Sequence, residues 1–214
     1  MPTAPLSGDS SFSFPEFTDP PSSPFTVARS WFDAAQEGDG AVSEPMSMTL
    51  ATAGADGRVS ARTVDVKRLD DAGLVFGSSS DSPKGRQLGG NPFGALQVYW
   101  RETMQQLRFE GRIVALSDAE SDALFADRSP KSRAATAVAQ QSEPFGDRTL
   151  QRLIDDANTL LDEHGDDVPR PSSWRAWRLE PDLVEFWHGS RDRMHRRLQY
   201  RLGEDGWAVD RVQP

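Results

Sequence analysis

Five runs of strand character follow one another between Met46 and Leu116: Met46–Ala53, Arg58–Leu69, Leu74–Ser78, Phe93–Trp100 and Met104–Leu116. Asp56-Gly57 is a hairpin signal, and Asp70–Gly73 is a second turn. Consecutive strands with short turns predict an antiparallel sheet, and the length of the fifth run predicts that the sheet curls into a barrel. Ser82–Gly89 predicts a short helix between the third and fourth strands. Strand pattern returns after the stiff Pro169-Arg170-Pro171 linker, at Trp174–Leu179, Leu183–His188, Met194–Arg201 and Trp207–Val212.

Helices surround this β framework. Phe25, Ala28, Trp31, Phe32 and Ala35 recur at helical spacing, and Gly38-Asp39-Gly40 ends that helix. Ser117 followed by Glu120 is a capping-box pattern opening a helix over 117–127. Further helices are predicted over about 130–140 and from about Asp147 to His164. The class is therefore mainly β with α, an α+β chain. Residues 1–24 are rich in Pro, Ser and Asp and read as a mobile arm; Phe12, Phe14 and Phe17 place part of it on a folded surface. Residues 25–214 form the folded domain.

Composition excludes several function classes. Lys and Arg number 24 against 33 Asp and Glu, a net charge of -9, which opposes binding to nucleic acid or to an anionic membrane. No apolar run is long enough to span a bilayer, and the N-terminus has neither the basic nor the apolar region of a secretory signal. With no cysteine, disulfide scaffolds, thiolate zinc sites, iron–sulfur clusters and cysteine nucleophiles are all excluded, which fits a cytoplasmic protein. Three histidines, none in an H-x-x-x-H pair, leave little for metal chemistry. No G-x-S-x-G, Walker or G-x-G-x-x-G motif is present.

Four stretches carry the remaining chemistry. In Arg62-Thr63-Val64-Asp65-Val66-Lys67, strand alternation puts Arg62 on the face of Val64 and Val66, where a guanidinium needs an anion. The alternative is an edge strand with an exposed Arg62 and a Lys67–Asp65 pair. Ser78 through Arg86 follows a strand and opens a helix with Pro83 at its first position; its free N–H groups and Lys84 make a phosphate cradle, or else an ordinary Ser-capped helix. Gln105-Gln106 and Gln140-Gln141-Ser142 are amide clusters suited to a heterocycle or simply to solvent. Glu185 through Arg197 gathers Arg191, Arg193, Arg196 and Arg197 with His188, His195 and Trp187 in an otherwise acidic chain. It reads as a site for a planar anion or as a solvated basic hairpin.

Together these motifs resemble the pyridoxamine 5'-phosphate oxidase family of flavin mononucleotide (FMN) enzymes over about residues 25–214. The strongest stretch is Pro171–Pro214, with Glu185-Phe186-Trp187, Arg193-Met194-His195-Arg196-Arg197 and Trp207…Asp210-Arg211…Pro214. The resemblance implies an FMN-binding split β-barrel with peripheral helices, paired as a homodimer with FMN at the interface. It implies FMN contacts from Arg62, Thr63, Val64, Asp65, Val66, Lys67, Gly77, Ser78, Lys84, Gln106, Gln141, Ser142, Trp187 and Arg197. Substrate contacts fall on Lys67, Arg128, Ser132, Arg193 and His195, with Arg193 and His195 holding a carboxylate or assisting proton removal. FAD is not implied, since the dinucleotide fingerprint is missing.

Pro83 stands where the family usually has an Arg, Gly77 where it has a larger residue, and Leu124 where pyridoxine oxidases have a Tyr that touches the substrate phosphate. With the arm motif Phe14-Pro15-Glu16-Phe17 and the run Tyr99-Trp100-Arg101-Glu102-Thr103, these look like the branch of flavin-dependent oxidases of phenazine biosynthesis. That likeness implies an oxidase that passes a hydride from a reduced phenazine carboxylate to flavin, which O₂ then reoxidises. The alternative is a pyridoxine/pyridoxamine 5'-phosphate oxidase, for which Lys67 keeps the phosphate contact; a second alternative is a flavin-binding module without turnover.

Overall fold

The computed structural model describes residues 6–9, 12–37 and 42–214. Helix α1 (Pro24–Glu37) buries Val27, Ala28, Trp31, Phe32 and Ala35 along one face, the spacing that the sequence shows. The stop predicted at Gly38-Asp39-Gly40 lies outside the described residues.

The strands β1 (Ser47–Ala53), β2 (Val59–Asp70), β3 (Gly73–Ser79), β4 (Phe93–Trp100) and β5 (Gln105–Ala115) are antiparallel neighbours in the order β3-β2-β1-β4-β5. Strand β6 (Trp174–His188) pairs with β5 on one side and returns to β3 on the other, closing a six-stranded barrel. Only its first part, Trp174–Leu179, reaches β3; from Leu183 to His188 the same side pairs with β7 (Arg196–Gly203), which pairs with β8 (Gly206–Arg211). The change of neighbour along β6 splits the barrel and leaves β7 and β8 as a flap. Leu50, Leu74, Phe76, Leu96, Leu107, Phe109 and Leu179 fill the interior. Helix α1 stoppers it: Trp31 meets Phe186 edge-on at 5.2 Å and Phe32 meets Trp100 at 5.3 Å.

Helix α2 (Pro83–Gly90) follows β3 as predicted. After β5 come α3 (Asp118–Ala126), opened by the Ser117–Glu120 capping box, then α4 (Pro130–Val138) and α5 (Leu150–His164). No helix among the described residues is long and apolar enough to cross a membrane.

Two elements differ from the sequence reading. Trp174–Leu179 and Leu183–His188 are not two strands but the single strand β6. Pro181 sits where the β5–β6 register shifts between Glu110 and Gly111, so its missing N–H interrupts no ladder bond there. A Cβ at Gly111 would stand 2.1 Å from the Glu180 carbonyl oxygen, so only glycine lets the strands close at that bulge. The second difference is that Met194 and His195 precede β7 instead of belonging to it. Asp192 Oδ1 accepts from the Met194 N–H at 2.9 Å, a local turn bond that competes with the ladder.

The described residues of the arm are held on the folded domain, beginning with the Asp9 N–H, which donates to the Glu102 carbonyl at 2.9 Å. Phe17 enters the core, Phe14 packs on Trp31 at 5.1 Å, and the Glu16 carboxylate accepts from Trp31 Nε1. Its backbone is held by Tyr200 Oη, which donates to the Pro21 carbonyl at 2.9 Å, and by Arg211 Nε, which donates to that of Phe17 at 2.7 Å.

Candidate functional site

A cleft of about 910 Å³ runs along β2, between the start of α2 and the α3–α4 corner. Arg62, Thr63, Val64, Asp65 and Lys67 line it from β2, Gly77 and Ser78 from β3, and Lys84 from α2. Leu124, Arg128, Ser132, Gln141, Ser142 and Trp174 form the opposite wall together with Asp127 and Ser129. Val66 turns into the core, and its N–H is already given to the Met46 carbonyl at 2.9 Å.

The electrostatics of this cleft ask for an anion. Arg62 is not an exposed edge-strand side chain. Its guanidinium donates to the Leu50 carbonyl (3.2 Å), Thr52 Oγ1 (2.6 Å), Ser60 Oγ (2.6 Å) and Gln87 Oε1 (3.5 Å), all of them neutral. Lys84 is 7% exposed, and its Nζ reaches Ser82 Oγ at 3.3 Å. Arg128 lies 5.4 Å from the ring centroids of both Phe125 and Trp174, and its Nη1 is buried with no hydrogen-bond partner among the described residues. No carboxylate of the described residues pairs with any of the three, whereas Lys67 is paired with Asp65 at 3.4 Å. Burial lowers the pKa of all three; the Arg62 charge lowers Lys84 further, and the Arg133 charge lowers Arg128 further. Unpaired, partly desolvated cations are an unfavourable arrangement that a bound anion relieves.

Local structure aims these groups. Ser82 caps α2 by accepting from the Gly85 N–H at 3.3 Å, and Pro83 occupies the first turn, where its missing N–H leaves no bond unmade. Ser129 likewise caps α4, accepting from the Ser132 N–H at 3.3 Å and so presenting Ser132 at the cleft. Ser78 Oγ donates to Gln141 Oε1 at 3.3 Å, tying the 140–142 turn to β3. Gly77 is small for a visible reason: a Cβ there would stand 2.2 Å from Trp174 Cζ2.

The other predicted residues lie elsewhere. Gln106, Trp187 and Arg197 form one cross-strand row over β5, β6 and β7, extended by Tyr99 on β4. Gln97 Nε2 donates to Gln106 Oε1 at 3.3 Å, and the Trp187 ring lies 6.2 Å from Tyr99 and 4.8 Å from His195. Arg193 and His195 stand on the loop between β6 and β7, Arg193 with a left-handed φ of 70°. The Ser190 N–H donates to His195 Nδ1 at 3.0 Å, which in the neutral ring places the proton on Nε2 and makes the outer nitrogen a donor. None of these five residues lines the cleft, so within one chain the predicted site residues fall into two separate groups.

Sequence reasoning missed Ser60, Asp127, Ser129 and Trp174 of the cleft lining, and Gln87 behind it. Trp174 lines the wall but reads in the sequence only as the start of a strand. Gln87 holds Thr52, Ser60 and Arg62 on one amide oxygen, and nothing in its spacing marks it.

Residues 35–188 match the pyridoxamine 5'-phosphate oxidase family, and residues 174–214 match the pyridoxine 5'-phosphate oxidase C-terminal dimerisation region. The chain belongs to the pyridoxamine 5'-phosphate oxidase family. Membership makes it an oxidoreductase of the split-barrel type, and the dimerisation region supports a homodimer. It is 39% identical over 209 residues to the dihydrophenazinedicarboxylate synthase of Burkholderia lata, covering 98% of this chain and 96% of that one. It is equally 39% identical, over 198 residues and 92% of each chain, to a pyridoxine/pyridoxamine 5'-phosphate oxidase of Herminiimonas arsenicoxydans. The crystal structure of PhzG from Burkholderia lata in complex with tetrahydrophenazine-1-carboxylic acid superposes with a TM-score of 0.91 at 38% identity, covering 97% of this chain and all of that one.

Proposed function

We propose that the protein is an FMN-dependent oxidase that oxidises a reduced phenazine carboxylate and returns the electrons to O₂. The observation that carries the reading is the cleft wall, where Leu124 and Trp174 set an apolar, aromatic surface beside three cations without carboxylate partners. Such a wall suits a flat ring system bearing acid groups better than a phosphate tail alone. The likeness to the Burkholderia lata enzyme, which extends through the arm, supports the same choice.

The residues present fit FMN. The start of α2, with Lys84 and Arg62, offers cationic and N–H donors to a phosphate. Gln141 and Ser142 offer polar groups along the same cleft, and Gln106, Trp187 and Arg197 offer an amide, a ring face and a guanidinium in the second group. A homodimer in which each site takes one half from each subunit accounts for that division. When bound, FMN supplies an acceptor for two electrons that O₂ can later collect.

This chain's residues then bind and orient. Arg193 supplies a cation, and His195 an Nε2–H donor, to a substrate carboxylate; the tautomer set by the Ser190 N–H favours holding an anion over removing a proton. The Trp187 face, 4.8 Å from His195, limits where a planar substrate can lie. Arg128, Ser132 and Lys67 can hold further acidic groups at the cleft end.

A pyridoxine/pyridoxamine 5'-phosphate oxidase is the second reading, favoured by the presence of Lys67, Arg128 and Ser132 in one cleft and by relatives of equal identity. The deciding measurement is kcat/KM under air for reduced phenazine carboxylate and for pyridoxine 5'-phosphate on one FMN-loaded preparation. The phenazine substrate is expected to win; a tenfold advantage for the vitamin phosphate would establish the second reading instead.

A further inference from the structure

Strand β6 buries a carboxylate that none of the roles above uses. The Glu185 side chain is only 4% exposed, and its Oε2 accepts from Arg197 Nη2 at 2.8 Å, Gln199 Nε2 at 3.1 Å and Arg108 Nη2 at 3.3 Å. Strand register explains the convergence: Arg108, Glu185 and Gln199 form a cross-strand row next to the row of Gln106, Trp187 and Arg197. Glu185 thus shares a sheet face with Trp187, two residues on. Arg108 is also paired with Glu110, and Gln199 is neutral and itself buried, so each has a settled place in the sheet.

Arg197 differs from both. It is pinned at two points, by Glu185 and by Nη1 donating to the Gln213 carbonyl at 2.9 Å, and its side chain remains 29% exposed. Two of its five N–H donors are used, which leaves three on a guanidinium whose plane the two bonds fix. A free arginine has several rotatable bonds to immobilise on binding; one already held by a buried carboxylate has lost that freedom beforehand.

We propose that Glu185 is a positioning residue that fixes the Arg197 guanidinium for the ligand of the Trp187 row. The inference rests on the FMN reading of that row. It predicts that Glu185 acts on the ligand through Arg197 and through no other contact.

Double-mutant titrations with FMN test it, read by quenching of flavin fluorescence. Glu185→Gln keeps shape and loses the charge that holds Arg197. It should weaken FMN about tenfold in the wild-type background, less than twofold once Arg197→Ala is present, and again about tenfold beside Lys84→Ala. An equal loss in all three backgrounds would show general loosening of the sheet and overturn the proposal, as would no loss at all. Far-UV circular dichroism and the thermal midpoint report whether the variant folds. If Glu185→Gln does not fold, Glu185→Asp, which keeps the charge but withdraws it by one methylene, is read in the same backgrounds for the same pattern. Failure of the wild-type protein to take up FMN is a separate result: it removes the FMN reading and this inference with it, whereas FMN uptake without coupling removes this inference alone.

Discussion

Replacing Lys84 by Met should separate folding from ligand binding, because the structure makes this lysine unfavourable in the empty protein and useful in the loaded one. Lys84 is 7% exposed, its ammonium donates to Ser82 Oγ at 3.3 Å, and its charge is disfavoured by burial first and by Arg62 second. Methionine fills nearly the same volume without a charge. Removing an unpaired, desolvated cation is neutral or favourable, on the order of 1 kcal/mol. Removing a charge-assisted bond to a phosphate costs about 1.5–3 kcal/mol of binding. At about 1.4 kcal/mol per decade, that is a loss of roughly tenfold to a hundredfold in FMN affinity. The assay pairs FMN titration with thermal melts of the FMN-free and FMN-saturated protein. Lys84→Met should melt no lower than wild type without FMN, and FMN should raise its midpoint less than it raises that of wild type. A variant that melts several degrees lower when empty and binds FMN with unchanged affinity would refute the account, since Lys84 would then be a structural cation with a partner of its own.

Two further outcomes follow from other parts of the molecule. Leu124→Tyr places a phenol on the cleft wall beside Arg128 and Ser132; kcat/KM for pyridoxine 5'-phosphate should rise about tenfold, as one hydrogen bond to an anion allows, with no gain for the phenazine substrate. His188 is 5% exposed, edge-on to Phe14 at 4.6 Å, with Nε2 unpartnered among the described residues; burial and then the Arg196 charge lower its pKa from 6.5 to about 4. The unfolded chain therefore takes up the proton first, so this stability is whole above pH 6.5 and is lost as pH falls toward 4. Thermal midpoints at pH 7.5 and 4.5 should fall further for wild type than for His188→Gln, and parallel falls would dismiss His188 as the cause.

The sequence by itself determined the local elements and the kinds of chemistry. Alternation and turn residues located β1 to β5 to within a residue or two, because period-two burial and Gly57 in a left-handed turn are properties of neighbouring residues. The capping pair Ser117 and Glu120 and the Ser82-Pro83 start of α2 were legible for the same reason. The family resemblance added the set of site residues, which local reasoning could only leave as anion-seeking patches. What the tertiary structure decided is non-local. The union of two short runs into β6 depended on Gly111, far away in the chain, accepting the bulge at Pro181. The division of the site into a cleft and a separate strand row depended on how β6 changes partners from β3 to β7. Arg62, Lys84 and Arg128 came together only when folding brought them into one cleft, where no carboxylate of the described residues pairs with any of them although Asp65 and Asp127 also line it. Glu185 acquired its hold on Arg197 in the same way, from the register of β6 against β7. Desolvation and pairing are sums over every neighbour in space, and spacing along the chain carries only the few that are also neighbours in sequence.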